Sequence, residues 1–165
     1  MALLRPERYF ERLSCIDVQR DLVDRGITRA LLDVDNTVRS RADDEIPQDV
    51  RAWVSDARGA GIEMCLFSNS WHDTTLRFGR ELGLPVVMRS VKPLPVGTIR
   101  ALRAVGGSRR NTVVIGDQVL TDVLSAHVAG MRAYLVVPLS DVNIKSALWQ
   151  RRVEERVLAG MEPEA

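Results

Sequence analysis

Five short apolar runs, separated by longer amphipathic stretches, fix what this chain can fold into. The runs fall at 30–34, 62–67, 85–88, 112–115 and 132–137, each four to six residues long. That is strand length, and the dominance of apolar positions suits strands covered on both faces. The stretches between them carry helical apolar spacing and end at glycines. Ser14 opens one, with Asp17 completing a capping-box signal and Gly26 closing it. Pro47 opens the next, with Val50, Trp53, Val54 and Ala57 on one face and Gly59 and Gly61 behind. Others run 73–82 to Gly83, 95–105 to Gly106 and 121–129 to Gly130. Such alternation predicts a three-layer, Rossmann-like α/β fold: a parallel sheet, helices on both faces, right-handed crossovers. With 165 residues and no repeat or linker, residues 1–165 are expected to form a single domain.

Composition narrows the function classes. The formal net charge is +1, which gives no electrostatic case for a nucleic-acid partner. Cys15 and Cys65 cannot make a disulfide framework, so a reduced, cytoplasmic protein is expected. No apolar run is long enough to span a bilayer, which leaves peripheral contact with a membrane surface open. Of 23 basic residues only Lys92 and Lys145 are lysine. In so arginine-rich a chain, a remaining lysine marks a candidate position where a compact point charge is required.

In a parallel sheet, ligands gather at the carboxyl ends of the strands, near the point where strand order reverses. Asp33, Asp35 and Thr37 follow the first run and Ser68 and Asn69 the second; Lys92 stands a few residues past the third. Asp117 and Asp122 follow the fourth. Four carboxylates on one edge repel unless a cation compensates, and an all-oxygen donor set favours Mg²⁺. A metal and a lysine beside a carboxylate make a cationic pocket for phosphate. The first carboxylate can attack phosphorus. A second, two residues on, can protonate the leaving oxygen and then activate water. Thr37 and Ser68 offer donors to phosphate oxygens, and Asn69 is a further candidate beside them.

These residues, in this order, resemble the four motifs of the haloacid dehalogenase-like (HAD) phosphatase superfamily: 33–37 with its Asp-x-Asp-x-Thr pattern, Ser68, Lys92, and Gly116-Asp117 with Asp122. The resemblance covers roughly residues 27 to 137. It is directed in particular to the YqeG-type branch of the class IIIA group, itself similar to phosphatidylglycerophosphate phosphatases. It implies Asp33 as nucleophile and Asp35 as general acid/base. It further implies Mg²⁺ held by Asp33, Asp117 and the main-chain carbonyl of Asp35, with Asp122 close by, directly or through water. Ser68 would bind phosphate and Lys92 steady the charge. About nine residues separate the first motif from the next helix, so no cap domain fits there.

The expected substrate is therefore a phosphate monoester, with a phosphatidylglycerophosphate-like lipid headgroup implied by the resemblance. The alternatives are a soluble phosphorylated metabolite, with a second copy of the chain in a homo-oligomer serving as the cap, and a non-catalytic phosphate-binding module. A phospho-acceptor domain of the receiver type is a further rival, but it gives Asp35 no role. The sequence also raises an interfacial helix near the C-terminus, where Lys145, Trp149, Arg151, Arg152 and Arg156 stand against Glu154 and Glu155. The competing reading packs Val153 and Leu158 on the core. Cys15, Cys65, Trp53 and Trp71 are read as packing residues, His127 as a helix residue, His72 as solvent-facing, and 43–45 as a solvated loop.

Overall fold

The computed structural model describes residues 2–71, 73–140 and 148–165. Among these residues six strands form one parallel sheet: β1 (Arg8–Phe10), β2 (Arg29–Asp33), β3 (Glu63–Phe67), β4 (Val86–Val87), β5 (Thr112–Gly116) and β6 (Arg132–Val136). Their order is β1-β6-β5-β2-β3-β4, so the chain leaves central β2 toward β3 and later returns to its other side as β5. The reversal point lies between β2 and β5, where a ligand site is expected.

Among the described residues five α-helices cover the sheet: α1 (Gln48–Gly59), α2 (Thr74–Leu82), α3 (Pro95–Ala104), α4 (Leu124–Val128) and α5 (Leu148–Val157). The two-residue strand period divides the core. Ala30, Leu32, Met64, Leu66, Val113 and Ile115 meet Val50, Trp53, Val54 and Ala57 of α1 and Phe78 of α2. Leu31, Cys65, Phe67, Val114 and Ala133 meet Ala101 and Leu102 of α3 and Ala126 of α4. By the same period Asp33 belongs to the α3/α4 face, with Leu31. Burial in that second core pushes the Cys65 thiol up to about 12, which suits an inert packing residue.

The structure departs from the sequence expectation in four places. A sixth strand, β1, joins the edge beside β6. The helix expected from Ser14 is instead a short turn at Leu13–Cys15, a wide helical turn at Val18–Leu22 and a tight one at Val23–Arg25. The N-cap of the wide turn is Asp17, whose carboxylate accepts from the Arg20 N–H at 2.7 Å. Ser14, half-buried, donates to Asp49 at 2.6 Å. The stretch from 121 splits into a wide turn at Val119–Val123 followed by α4. Trp71, expected to pack, is 68% exposed.

Helix α5 packs Val153, Val157 and Leu158 on the α3/α4 side of the core and leaves Arg152, Glu155 and Arg156 exposed. Lys145 and His72 lie outside the described residues, as do the side chains of Trp149 and Arg151. Among the described residues no helix is long and apolar enough to cross a membrane.

Candidate active site

The end of β2, the loop after β4 and the turn after β5 bring one ammonium and three carboxylates together. Lys92 Nζ donates to Asp33 Oδ1 and, at 2.7 Å, to Asp122 Oδ1. The same nitrogen lies 4.3 Å from the centroid of the Phe67 ring. Asp33, Asp117 and Asp122 each offer a carboxylate oxygen, all within 4.8 Å of one another. Three buried carboxylates facing one ammonium leave two negative charges uncompensated. Burial pushes the Asp33 carboxyl up to about 7, against the pull of Lys92 and with a further push from Asp122. Burial and the neighbouring Asp33 and Asp122 raise Asp117 well above the usual carboxylate range. Burial pulls the Lys92 ammonium down, but Asp122 and Asp33 more than offset it, so it stays charged well above its ordinary range.

Asp117 Oδ1 is buried with no hydrogen-bond partner. A buried carboxylate oxygen left unpaired is costly, and a hard divalent cation held by these oxygens satisfies both the orphan and the excess charge. The donor set therefore fits a metal. The Asp35 carboxylate is not part of this cluster.

Local sequence explains the convergence. Gly116 ends β5 where a Cβ would lie 2.3 Å from Asp122 Cγ, so only glycine lets that carboxylate fold back toward Lys92. The Gln118 N–H then holds Asp122 Oδ2 at 3.1 Å. The loop that delivers Lys92 is strained: Arg89 and Val91 adopt φ of 52° and 54°, a region β-branched residues avoid. Its surroundings hold it there. Ser90 N–H bonds Ser68 O at 3.0 Å, and a Cβ on Gly97 would strike Ser90 O at 2.2 Å. Asn69 clamps the lysine itself, accepting from Lys92 N–H at 2.7 Å and donating to Lys92 O at 3.2 Å. Asn69, a sequence candidate for phosphate contact, thus holds the Lys92 backbone with both polar atoms of its amide.

Ser68 is buried beside the cluster, and its hydroxyl accepts from Ser70 N–H at 3.0 Å. Thr37 Oγ1 is buried and without a hydrogen-bond partner. Asp35 stands at the rim in a setting the sequence did not suggest. Arg39 donates to its Oδ1, and Arg41 to its Oδ2 at 3.2 Å. Arg39 also reaches Asp44 at 2.6 Å, and Arg77 binds the Asp44 carboxylate at 3.0 Å. So 43–45 is not merely solvated: Asp44 anchors Arg39, one of the two arginines that hold Asp35. Asn36, buried at φ 61°, fixes the loop by accepting from Arg41 N–H and, at 2.7 Å, from the Ser140 hydroxyl.

Lys92→Arg is expected to destabilise the protein by about 1–3 kcal/mol, because a planar fork overfills a space shaped for a point charge. Denaturant unfolding measures this. An unchanged midpoint would show that arginine fits between Asp33, Asp122 and the Phe67 ring.

Known proteins resemble this chain in sequence and in fold. Residues 91–138 match a family model described as HAD-hydrolase-like. The chain is 27% identical over 157 residues to the probable phosphatase YqeG of Bacillus subtilis, covering 95% of this chain and 91% of that one. Among solved structures, NagD of E. coli K-12 superposes with a TM-score of 0.55 at 13% identity, over 74% of this chain and 93% of that one. The cobalt-bound deoxy-D-mannose-octulosonate 8-phosphate phosphatase YrbI of Haemophilus influenzae superposes with a TM-score of 0.55 at 15% identity, covering 82% and 89%. A protein from Listeria monocytogenes serotype 4b gives 0.54 at 17% identity, covering 81% and 98%.

Proposed function

We propose that this chain, which is similar to the HAD-like phosphatases represented by YqeG, acts over residues 1–165 as one domain that hydrolyses phosphate monoesters through Asp33. The observation that carries this is the buried Asp33–Lys92–Asp122 contact with Asp117 beside it, at the point where strand order reverses. An Asp33 carboxylate oxygen attacks phosphorus, an acyl-phosphate bond forms, and the ester oxygen leaves. Asp35 gives that oxygen its proton. It then takes a proton from water attacking the acyl-phosphate, releasing inorganic phosphate and restoring Asp33. Lys92 balances charge on the transferring group. Ser68 and Thr37 hydroxyls donate to its oxygens. Asp33, Asp117 and Asp122 would hold Mg²⁺, with the Asp35 carbonyl; Mg²⁺ supplies charge neutralisation at the phosphoryl group.

The substrate we favour is a phosphomonoester on a lipid headgroup of the phosphatidylglycerophosphate type. Two features support it. The β2–α1 connection is a loop of 34–47, and β3–β4 is joined through α2, so neither carries an inserted cap. Such an edge does not enclose a small metabolite as a ligand pocket normally would. Phosphate release from that lipid in mixed micelles should exceed release from sugar phosphates. Faster release from the sugar phosphates would exclude the lipid, and no Mg²⁺-dependent release from any monoester would exclude the phosphatase.

Metal occupancy has its own readout. With Asp33 raised to about 7 and Asp117 raised, the metal-free folded state binds protons that the unfolded chain has already lost. Stability should therefore fall as pH rises from about 4 to about 7. Mg²⁺ competes with those protons, so it should stabilise more at pH 8 than at pH 5; wherever it stands at a hundredfold excess over its dissociation constant the gain is about 2.7 kcal/mol. Asp117→Asn should weaken this gain. Thermal unfolding with and without Mg²⁺ measures it, and equal gains at both pH values would contradict the assignment.

A further inference from the structure

The exposed large apolar side chains are unevenly placed. Trp71 (68%), Val91 (54%), Leu94 (56%) and Val96 (61%) all lie on the two loops and the helix start that surround Lys92. These segments touch one another. Arg89 N–H bonds Ser70 O at 3.3 Å, and Leu94 N–H bonds Val91 O at 2.9 Å. The Arg89 guanidinium stacks over the Trp71 ring at 4.5 Å. Gly97 lets α3 pack directly against Ser90, so loop and helix form one rigid face.

The charge on this face is one-sided. From 82 to 116 the sequence contains no acidic residue and six basic ones: Arg89, Lys92, Arg100, Arg103, Arg109 and Arg110. Arg109 and Arg110 stand ahead of β5, at the other edge of the sheet, so the face itself draws on Arg89, Arg100 and Arg103. Lys92 is buried in the site, whereas Arg89, Arg100 and Arg103 are exposed. Val96, Arg100 and Arg103 fall at helical spacing along the outer side of α3.

We propose that this face docks the protein on an anionic lipid bilayer, with Trp71, Val91, Leu94 and Val96 among the headgroups and Arg89, Arg100 and Arg103 against acidic phospholipid. An aromatic and aliphatic tip backed by arginines is the composition of an interfacial anchor, and the clustered positive charge matches an anionic surface. A second copy of the chain is a poorer occupant. A two-fold interface sets each patch against itself, and here arginines would face arginines. Docking brings the Lys92 side of the site to the lipid surface. The inference deepens the lipid reading above and rests on it for its purpose, but the binding itself is measured without turnover.

The test is flotation with vesicles of phosphatidylcholine alone and of phosphatidylcholine mixed with phosphatidylglycerol. The protein should bind the mixed vesicles and ignore the neutral ones. The double variant Leu94→Asp/Val96→Asp should lower binding at least about tenfold. Arg100→Gln/Arg103→Gln should lower it by about fivefold for each arginine at low salt. Both should keep hydrolysis of soluble p-nitrophenyl phosphate, which shows the fold and the site intact. Equal binding by the apolar variant, equal binding to neutral vesicles, or no vesicle binding would overturn the proposal. So would an apolar variant that changed only the oligomeric state in sedimentation. Lipid-phosphate hydrolysis in micelles without vesicle binding would remove the docking face and leave the substrate reading standing. Vesicle binding lost in both variants, with no lipid hydrolysis, would do the reverse.

Discussion

Asp33→Asn is expected to abolish phosphate release, by on the order of 10⁴-fold or more, while leaving the fold intact. An amide oxygen cannot form the acyl-phosphate, so the loss falls on chemistry rather than on binding. The substitution is isosteric, and the Asn oxygen can still accept from Lys92 Nζ, which Asp122 also holds at 2.7 Å. One fewer buried negative charge remains, so denaturant stability in the absence of metal should not fall above pH 7 and should lose part of its slope between pH 4 and 7. The pair of measurements is phosphate release and unfolding on the same preparation. Near-wild-type release from clean, folded protein would remove Asp33 as the nucleophile. Absence of turnover in the wild-type chain as well would favour a phosphate-binding module of the same fold.

The strands with strong patterns were legible because the sheet buries both faces. Residues 30–34 and 112–115 are nearly continuous apolar runs, and they became β2 and β5, paired in register from Arg29 with Thr112. Strand β1 escaped notice for the opposite reason. Arg8-Tyr-Phe10 is three residues at a sheet edge, too short for periodicity to show. Its place is set by long-range contacts instead: Arg8 pairs with buried Asp21 and with Glu164 near the other end of the chain. The first helical segment starts later than Ser14 predicts because two capping residues compete there. Asp17 won, since starting at Asp17 leaves Leu13 and Ile16 buried in the core.

The site was legible to the extent that it is written in residues at strand ends. Asp33, Lys92, Asp117 and Asp122 converge because three connections, after β2, β4 and β5, open on one edge. What the sequence hid are the residues that act on those groups from a distance. Asn69 stands beside Ser68, yet it serves Lys92, 23 residues away, through both polar atoms of its amide. Arg39 and Arg41 looked like two of many arginines in a loop. Only the turn fixed by Asn36 at φ 61° brings them back onto Asp35. The one available signal was spacing, with arginines four and six residues after the acid. The apolar face around Lys92 was hidden for a related reason. Trp71 and Val91 are far apart in sequence, and single exposed apolar residues in loops carry no period.

Asp35→Asn is expected to slow turnover by about 10²–10⁴-fold and to leave phosphorylated Asp33 accumulating during the reaction. Attack by Asp33 does not need Asp35, but protonation of the leaving oxygen and activation of water both do. The second role falls after the acyl-phosphate has formed, so the covalent species should build up when the leaving group is a good one and needs no proton. The arginines sharpen the expectation. Asp35 accepts on both oxygens, from Arg39 and from Arg41. An asparagine can accept on one only and turns an N–H₂ toward the other guanidinium. The variant therefore loses one of these contacts as well as the proton. Intact-mass measurement during turnover of p-nitrophenyl phosphate should show an adduct of one phosphoryl group on Asp35→Asn and none on Asp33→Asn. Burst kinetics should match its formation. Full turnover in Asp35→Asn, with no adduct, would mean that another group moves the protons, and the two arginines on Asp35 would then mark a structural tie at the rim of the site.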